Sequence, residues 1–117
     1  MKICICCSKK FFSDIKKFID QHNDCKDKIL TPELNFNGII NLKIRKQIAE
    51  THHNKIISSD VVYVYNPSGF IGKGTNLEIG FGLALNKKIY ALEKVNDLGI
   101  DCFIEKFLTL EDLIKLI

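Results

Sequence analysis

One carboxylate, Glu78, lies just beyond a glycine-rich run, Asn66-Pro67-Ser68-Gly69-Phe70-Ile71-Gly72-Lys73-Gly74-Thr75. That run follows the apolar stretch Val61-Val62-Tyr63-Val64-Tyr65 and opens a helix-like stretch through Leu85. A carboxylate so placed can face the crevice beyond the strand ends of an open α/β sheet. There it can attack an electrophilic sugar carbon and form a covalent intermediate. The competing reading is local, because Thr75-x-x-Glu78 matches a capping box that satisfies the first N–H groups of a helix. Asp60, just before the apolar stretch, is the second candidate, since two carboxylates in different environments can divide the roles of nucleophile and proton donor. Aspartate is also common in turns, and Asp60 begins the strand at the end remote from the crevice. Gly69, Gly72 and Gly74 permit positive φ or close backbone approach to a ligand. With Asn66, Ser68 and Thr75 they form the expected substrate-binding loop.

Ser8, Lys9 and Lys10 follow the first apolar segment. Hydroxyl, ammonium and a helix N-terminus there can form a phosphate subsite, or a solvated loop with an N-cap. Lys73 is followed by Gly74, so no Walker motif is present, and no dinucleotide fingerprint follows the first strand. His52 and His53 are adjacent on a helix and point about 100° apart, which makes a poor chelating pair and fits the surface or the crevice rim. Cys4, Cys6 and Cys7 have no second ligand cluster in the sequence, which argues against zinc. Cys4 and Cys6 share one face of a buried strand and read as core. No metal and no cofactor is expected.

These groups need a scaffold. The 117 residues suffice for one domain, 1–117, able to bury a core without staples. Apolar content of 46% and charged content of 26% are those of a globular protein. A net charge of +3, with scattered lysines, gives no ground for a nucleic-acid polymer as partner, while a small anionic ligand fits. The five cysteines, an odd number, read as reduced thiols in a cytoplasm. No run reaches the ~20 apolar residues of a membrane span.

The predicted elements alternate. Strands are expected at Lys2 to Cys7, Lys28 to Thr31, Val61 to Tyr65, Lys88 to Leu92 and Ile100 to Ile104. Helices are expected at Phe11 to His22, Ile39 to Ser58, Thr75 to Asn86 and Leu110 to Ile117, the last with Thr109 as N-cap. Within Ile39 to Ser58, Ile40, Ile44, Ile48, Ala49 and Ile56 share a face. Alternation of this kind implies a parallel sheet with right-handed crossovers. The expected fold is a single flavodoxin-like, Rossmann-like doubly wound α/β domain of about five parallel strands. Its switch point between the first and third strands would bring the Ser8 loop beside the Asn66 to Thr75 loop.

Several segments together resemble the nucleoside 2-deoxyribosyltransferase-like family, which includes 2′-deoxynucleoside 5′-phosphate N-hydrolases. They are Ser59-Asp60-Val61-Val62-Tyr63-Val64, the glycine loop, Gly74-Thr75-x-x-Glu78-Ile79-Gly80-Phe81-Gly82, and Asn86-Lys87-Lys88-Ile89-Tyr90. Ile5-Cys6-Cys7-Ser8 is similar to the family's Cys-Gly-Ser turn. The resemblance implies that Glu78 is the nucleophile at C1′ and that Asp60 contacts the base and assists its protonation. It implies that Ser8 and Lys9 bind a 5′-phosphate. The chain departs from the pattern at Cys4, where the family has tyrosine, at Gly82 for alanine, at Asn86 for glycine, and at Gly72, where the transferases carry an acid. Gly72 to Glu78 also resembles the loop of lysine-decarboxylase-like phosphoribohydrolases, which likewise cleave an N-glycosidic bond.

The implied activity is cleavage of the N-glycosidic bond of a nucleoside or its 5′-monophosphate, by hydrolysis or deoxyribosyl transfer. A non-catalytic nucleotide-binding module and an NAD-glycohydrolase-type enzyme are the alternatives. A homodimer or higher homo-oligomer is expected.

Overall fold

A computed structural model describes residues 1–117. In chain order it contains β1 (Ile3–Cys6), α1 (Phe12–Gln21), β2 (Ile29–Leu30), α2 (Leu42–Ile57), β3 (Val61–Val64) and α3 (Lys73–Ala84). β4 (Lys88–Ala91), α4 (Leu98–Asp101), β5 (Ile104–Phe107) and α5 (Leu110–Ile114) follow. The strands form one parallel sheet in the order β2-β1-β3-β4-β5, the flavodoxin-like order. Ile3 pairs with Val61 and Cys6 with Val64, so β1 and β3 end level with each other.

The apolar strands are covered on both faces, as a parallel sheet requires. Because side chains alternate, Ile3, Ile5, Val61 and Tyr63 pack under Ile15 and Phe18 of α1 and Leu113 of α5. The intervening Cys4, Cys6, Val62 and Val64 pack under Ile56 of α2 and Ile79 of α3. No helix is long and apolar enough to cross a membrane.

Several boundaries differ from the sequence expectation, four of them for a visible local reason. α3 starts at Lys73, with extended Gly72 as its N-cap, which puts Thr75 and Glu78 too far into the helix for a capping box. α2 starts at Leu42 because the Asn41 side chain accepts the Ile44 N–H at 2.9 Å, leaving Ile40 outside the helix. α1 starts at Phe12, after a short 3₁₀ turn at Lys9–Phe11 capped by Ser8. Finally, β5 is not at Ile100 to Ile104. Asp97 accepts the Gly99 N–H at 2.8 Å and starts α4, and the strand follows, with Ile104 paired to Ile89. A short apolar run fits either element, and here the cap decided.

Candidate active site

The order reversal at β1 and β3 opens a cleft of about 390 Å³ beyond the ends of these strands, within the usual size of a small-ligand site. Ser8, Lys9 and Phe12 line it from the β1–α1 side. Glu33, Leu34, Phe36 and Ile40 contribute from the β2–α2 connection, Arg45 and His52 from α2, and Gly72, Gly74, Thr75 and Glu78 from α3. The two sequence-distant loops therefore share one crevice, as the strand order requires.

Glu78 lies at the buried side of this cleft with 18% of its side chain exposed. Burial raises its carboxyl above the ordinary value, opposed by the charges of His52 and Arg45. His52 Nε2 lies 3.4 Å from Glu78 Oε2. The same nitrogen is 3.3 Å from Cys6 Sγ and 3.7 Å from Cys4 Sγ. A hydrogen bond from Cys6, with help from His52, holds the Cys4 thiol down to about 6 against the effect of burial, and the same pairing pushes Cys6 well up. Burial disfavours the His52 cation, but its contacts with Cys4 and Glu78 outweigh that and raise its pKa. Nδ1 of His52 is buried without a hydrogen-bond partner.

His52 is thus neither a surface nor a rim histidine: it is buried, and it supplies the further ligand-type residue beside Cys4 and Cys6 that the linear sequence lacked. Its signal was the i, i+4 spacing to buried Ile56, which puts the two on one face of α2. Arg45 lies two turns earlier on that face and was also missed. Its guanidinium lies near α3, where a Cβ added at Gly74 would stand 3.8 Å from Nη2.

Of the expected binding residues, Ser8, Lys9, Gly72, Gly74 and Thr75 line the cleft with Glu78. Lys10 does not. Its ammonium lies 3.7 Å from the centre of the Phe70 ring, a cation–π contact that ties the first loop to the glycine loop. Asn66, Ser68 and Gly69 do not line it either. Fully buried Asn66 donates from Nδ2 to the Glu93 carbonyl at 2.8 Å and accepts the Glu93 N–H at 3.0 Å. The Ser68 N–H donates to the Glu93 carboxylate at 2.7 Å. Gly69 has φ +78°, and a Cβ there would stand 2.6 Å from the Lys94 carbonyl oxygen. These three fasten the loop to the end of β4.

Asp60 is at the opposite end of the sheet. It exchanges hydrogen bonds with Lys2, its Oδ2 accepting the Lys2 N–H at 2.8 Å, and the four residues of β3 separate it from the cleft end. At ~3.3 Å per residue that is roughly 13 Å, beyond side-chain reach.

Among solved structures the chain is similar to a 2-deoxyribosyltransferase from the psychrotolerant bacterium Bacillus psychrosaccharolyticus, with TM-score 0.68 and 17% identity over 97% of this chain and 90% of that one. It is also similar to the Clostridium botulinum CMP N-glycosidase BcmB, with TM-score 0.55 and 17% identity over 99% of this chain and 98% of that one. The chain shares their fold. No family model and no curated protein matches the chain.

Proposed function

We propose that this chain is a member of the nucleoside 2-deoxyribosyltransferase-like family and cleaves the N-glycosidic bond of a nucleoside 5′-monophosphate or nucleoside, with Glu78 as nucleophile. The observation that carries this reading is a largely buried carboxylate in a cleft that also holds Lys9, Arg45, apolar side chains and a second carboxylate, Glu33. Lys9, Arg45 and the N–H groups at the start of α3 suit a 5′-phosphate. Phe12, Leu34 and Phe36 offer apolar surface to the sugar and base.

In this mechanism a Glu78 oxygen forms a bond to C1′ as the C1′–N bond breaks, and the bonding pair leaves with the base, which takes up a proton. The carboxylate stabilises the cationic character that develops on the sugar. Water then attacks C1′, giving up a proton as the ester bond to Glu78 breaks, and releases the sugar. Gly72 stands where the transferases carry an acid, which favours water over a second base as acceptor. Asp60 has no part in this scheme.

The test is chromatography of free base released from ribo- and deoxyribonucleosides, their 5′-monophosphates and NAD, with Glu78→Gln in parallel. Release from the monophosphates, lost in the variant, is expected. Tight binding with no release would leave a nucleotide-binding module, and nicotinamide from NAD would change the substrate class.

We also propose that the chain assembles as a homodimer or higher homo-oligomer. Ile40, at the cleft, and the nearby Ile39 and Leu42 are exposed apolar residues of the kind a partner covers. A monomer mass by light scattering would end that proposal.

A further inference from the structure

We propose that Cys4 Sγ, Cys6 Sγ and His52 Nε2, joined by the Glu78 carboxylate, form a binding site for a divalent cation of the zinc class, and that the bound ion withdraws Glu78 from reaction. Binding itself is independent of the function proposed above; only the withdrawal rests on it.

The separations carry the argument. Tetrahedral zinc, bound at ~2.3 Å to sulfur and ~2.0–2.1 Å to nitrogen and oxygen, sets its ligands roughly 3.6 Å apart for N···S and roughly 3.4 Å for N···O. The Nε2–Sγ distances are 3.3 and 3.7 Å, and Nε2–Oε2 is 3.4 Å. The donor atoms of Cys4, Cys6 and His52 all lie within 4.8 Å of one another. Hydrogen bonding accounts for this convergence poorly. One ring nitrogen carries one proton or one lone pair, yet three groups crowd it. A central cation would meet the two sulfurs and the nitrogen at once, with Glu78 adjoining it through the oxygen beside Nε2.

The scaffold makes the cluster. Alternation along β1 puts Cys4 and Cys6 on one face of the sheet, and α2 and α3 cover that face and deliver His52 and Glu78. The donor set of two thiolates, an imidazole and a carboxylate suits zinc, whereas magnesium and calcium prefer all-oxygen shells. On binding, the protons that the cluster holds go to solvent, so that both sulfurs bind as thiolates and Nε2 offers its lone pair. His52 Nδ1 lacks the acceptor that usually orients a metal-bound imidazole, and such a partner is worth ~10–100-fold in affinity. The site is therefore exchangeable, suited to control more than to holding the fold together.

The test is titration of the chelator-treated full chain with Co²⁺, followed by Zn²⁺ competition against a chromogenic chelator. One equivalent of Co²⁺ is expected to give thiolate charge-transfer absorption and strong tetrahedral visible bands, which Zn²⁺ abolishes. Cys4→Ser and His52→Gln should each weaken binding at least ~10-fold. Glu78→Gln should keep the thiolate bands and alter the visible ones. Cys102→Ser, at an exposed thiol, should change nothing. Weak octahedral bands, no uptake, or bands that survive both Cys4→Ser and His52→Gln would overturn the site. Circular dichroism identifies a variant that fails to fold, and the other variant and the wild-type spectrum still decide. Base release should stop in Zn²⁺ and return with chelator. Activity that persists with the metal bound would overturn the withdrawal of Glu78. A chain inactive with or without metal would count against the proposed function and leave the Co²⁺ result standing.

Discussion

His52 Nε2 lies 3.4 Å from Glu78 Oε2, so a histidine of α2 and a glutamate of α3 meet over the switch point of the sheet. Glu78 sits well inside α3, which starts at Lys73, and has no part in capping the helix. Its removal should therefore separate chemistry from stability. Glu78→Gln is expected to lower base release by ~10³-fold or more, the scale on which charge-stabilising groups act. The Tm should hold or rise, because burial disfavours the charge that glutamine removes. Kinetics beside thermal unfolding checks both, and a variant with wild-type turnover would remove Glu78 from the mechanism.

The cations at the cleft predict a substrate preference. Lys9→Gln and Arg45→Gln should each raise KM for a 5′-monophosphate roughly 10-fold, about 1.4 kcal/mol for a lost charge-assisted contact. Neither should change KM for the unphosphorylated nucleoside. Equal effects on both substrates would mean these residues hold the cleft and not a phosphate.

Asn66 and Asp60 should separate in the opposite sense to a binding role. Asn66→Ala leaves the Glu93 N–H and carbonyl without their partner in a part-buried site, at a cost of roughly 1–3 kcal/mol for two lost bonds. Its Tm should fall by several degrees. Asp60→Asn removes an exposed charge but keeps an oxygen that can accept the Lys2 N–H, and should leave kcat/KM unchanged and stability within about 1 kcal/mol. A large loss of kcat/KM in Asp60→Asn, with stability intact, would restore it to the site.

Gly82 and Asn86 explain two departures from the family pattern. A Cβ at Gly82 would stand 2.9 Å from Val62 Cγ2, on a fully buried β-branched side chain with little freedom to move. Asn86 has φ +59° and ends α3 with the Lys87 N–H on the Gly82 carbonyl at 3.0 Å, a position asparagine tolerates nearly as well as glycine. Gly82→Ala is expected to destabilise by about 1–2 kcal/mol, the overpacking cost exceeding the gain in helix propensity. In a Val62→Ala background the same change should be neutral or stabilising. Additive effects in this double-mutant cycle would disprove the contact.

Local pattern sufficed for whatever depends on neighbours in the chain. The apolar runs of β1 and β3, the glycine loop between β3 and α3, and Thr109 as the cap of α5 are all legible because spacing, turn chemistry and capping act over a few residues. From these came the doubly wound fold and the placing of the Ser8 loop beside the loop that leads into α3. Tertiary packing decided which side chains arrive at the cleft. Asn66, Ser68 and Gly69 belong to the same loop as Gly72, yet contacts with Glu93 and Lys94 on a different strand's end turn them away. Arg45 and His52 carry no motif and reach the cleft because α2 packs over the face that Cys4 and Cys6 share. Asp60 begins the strand that leads to the cleft, so its place at the far end was legible from the order of residues alone, and it stands there in the assembled sheet. Contacts between elements depend on how layers cross, which no spacing along a single chain records.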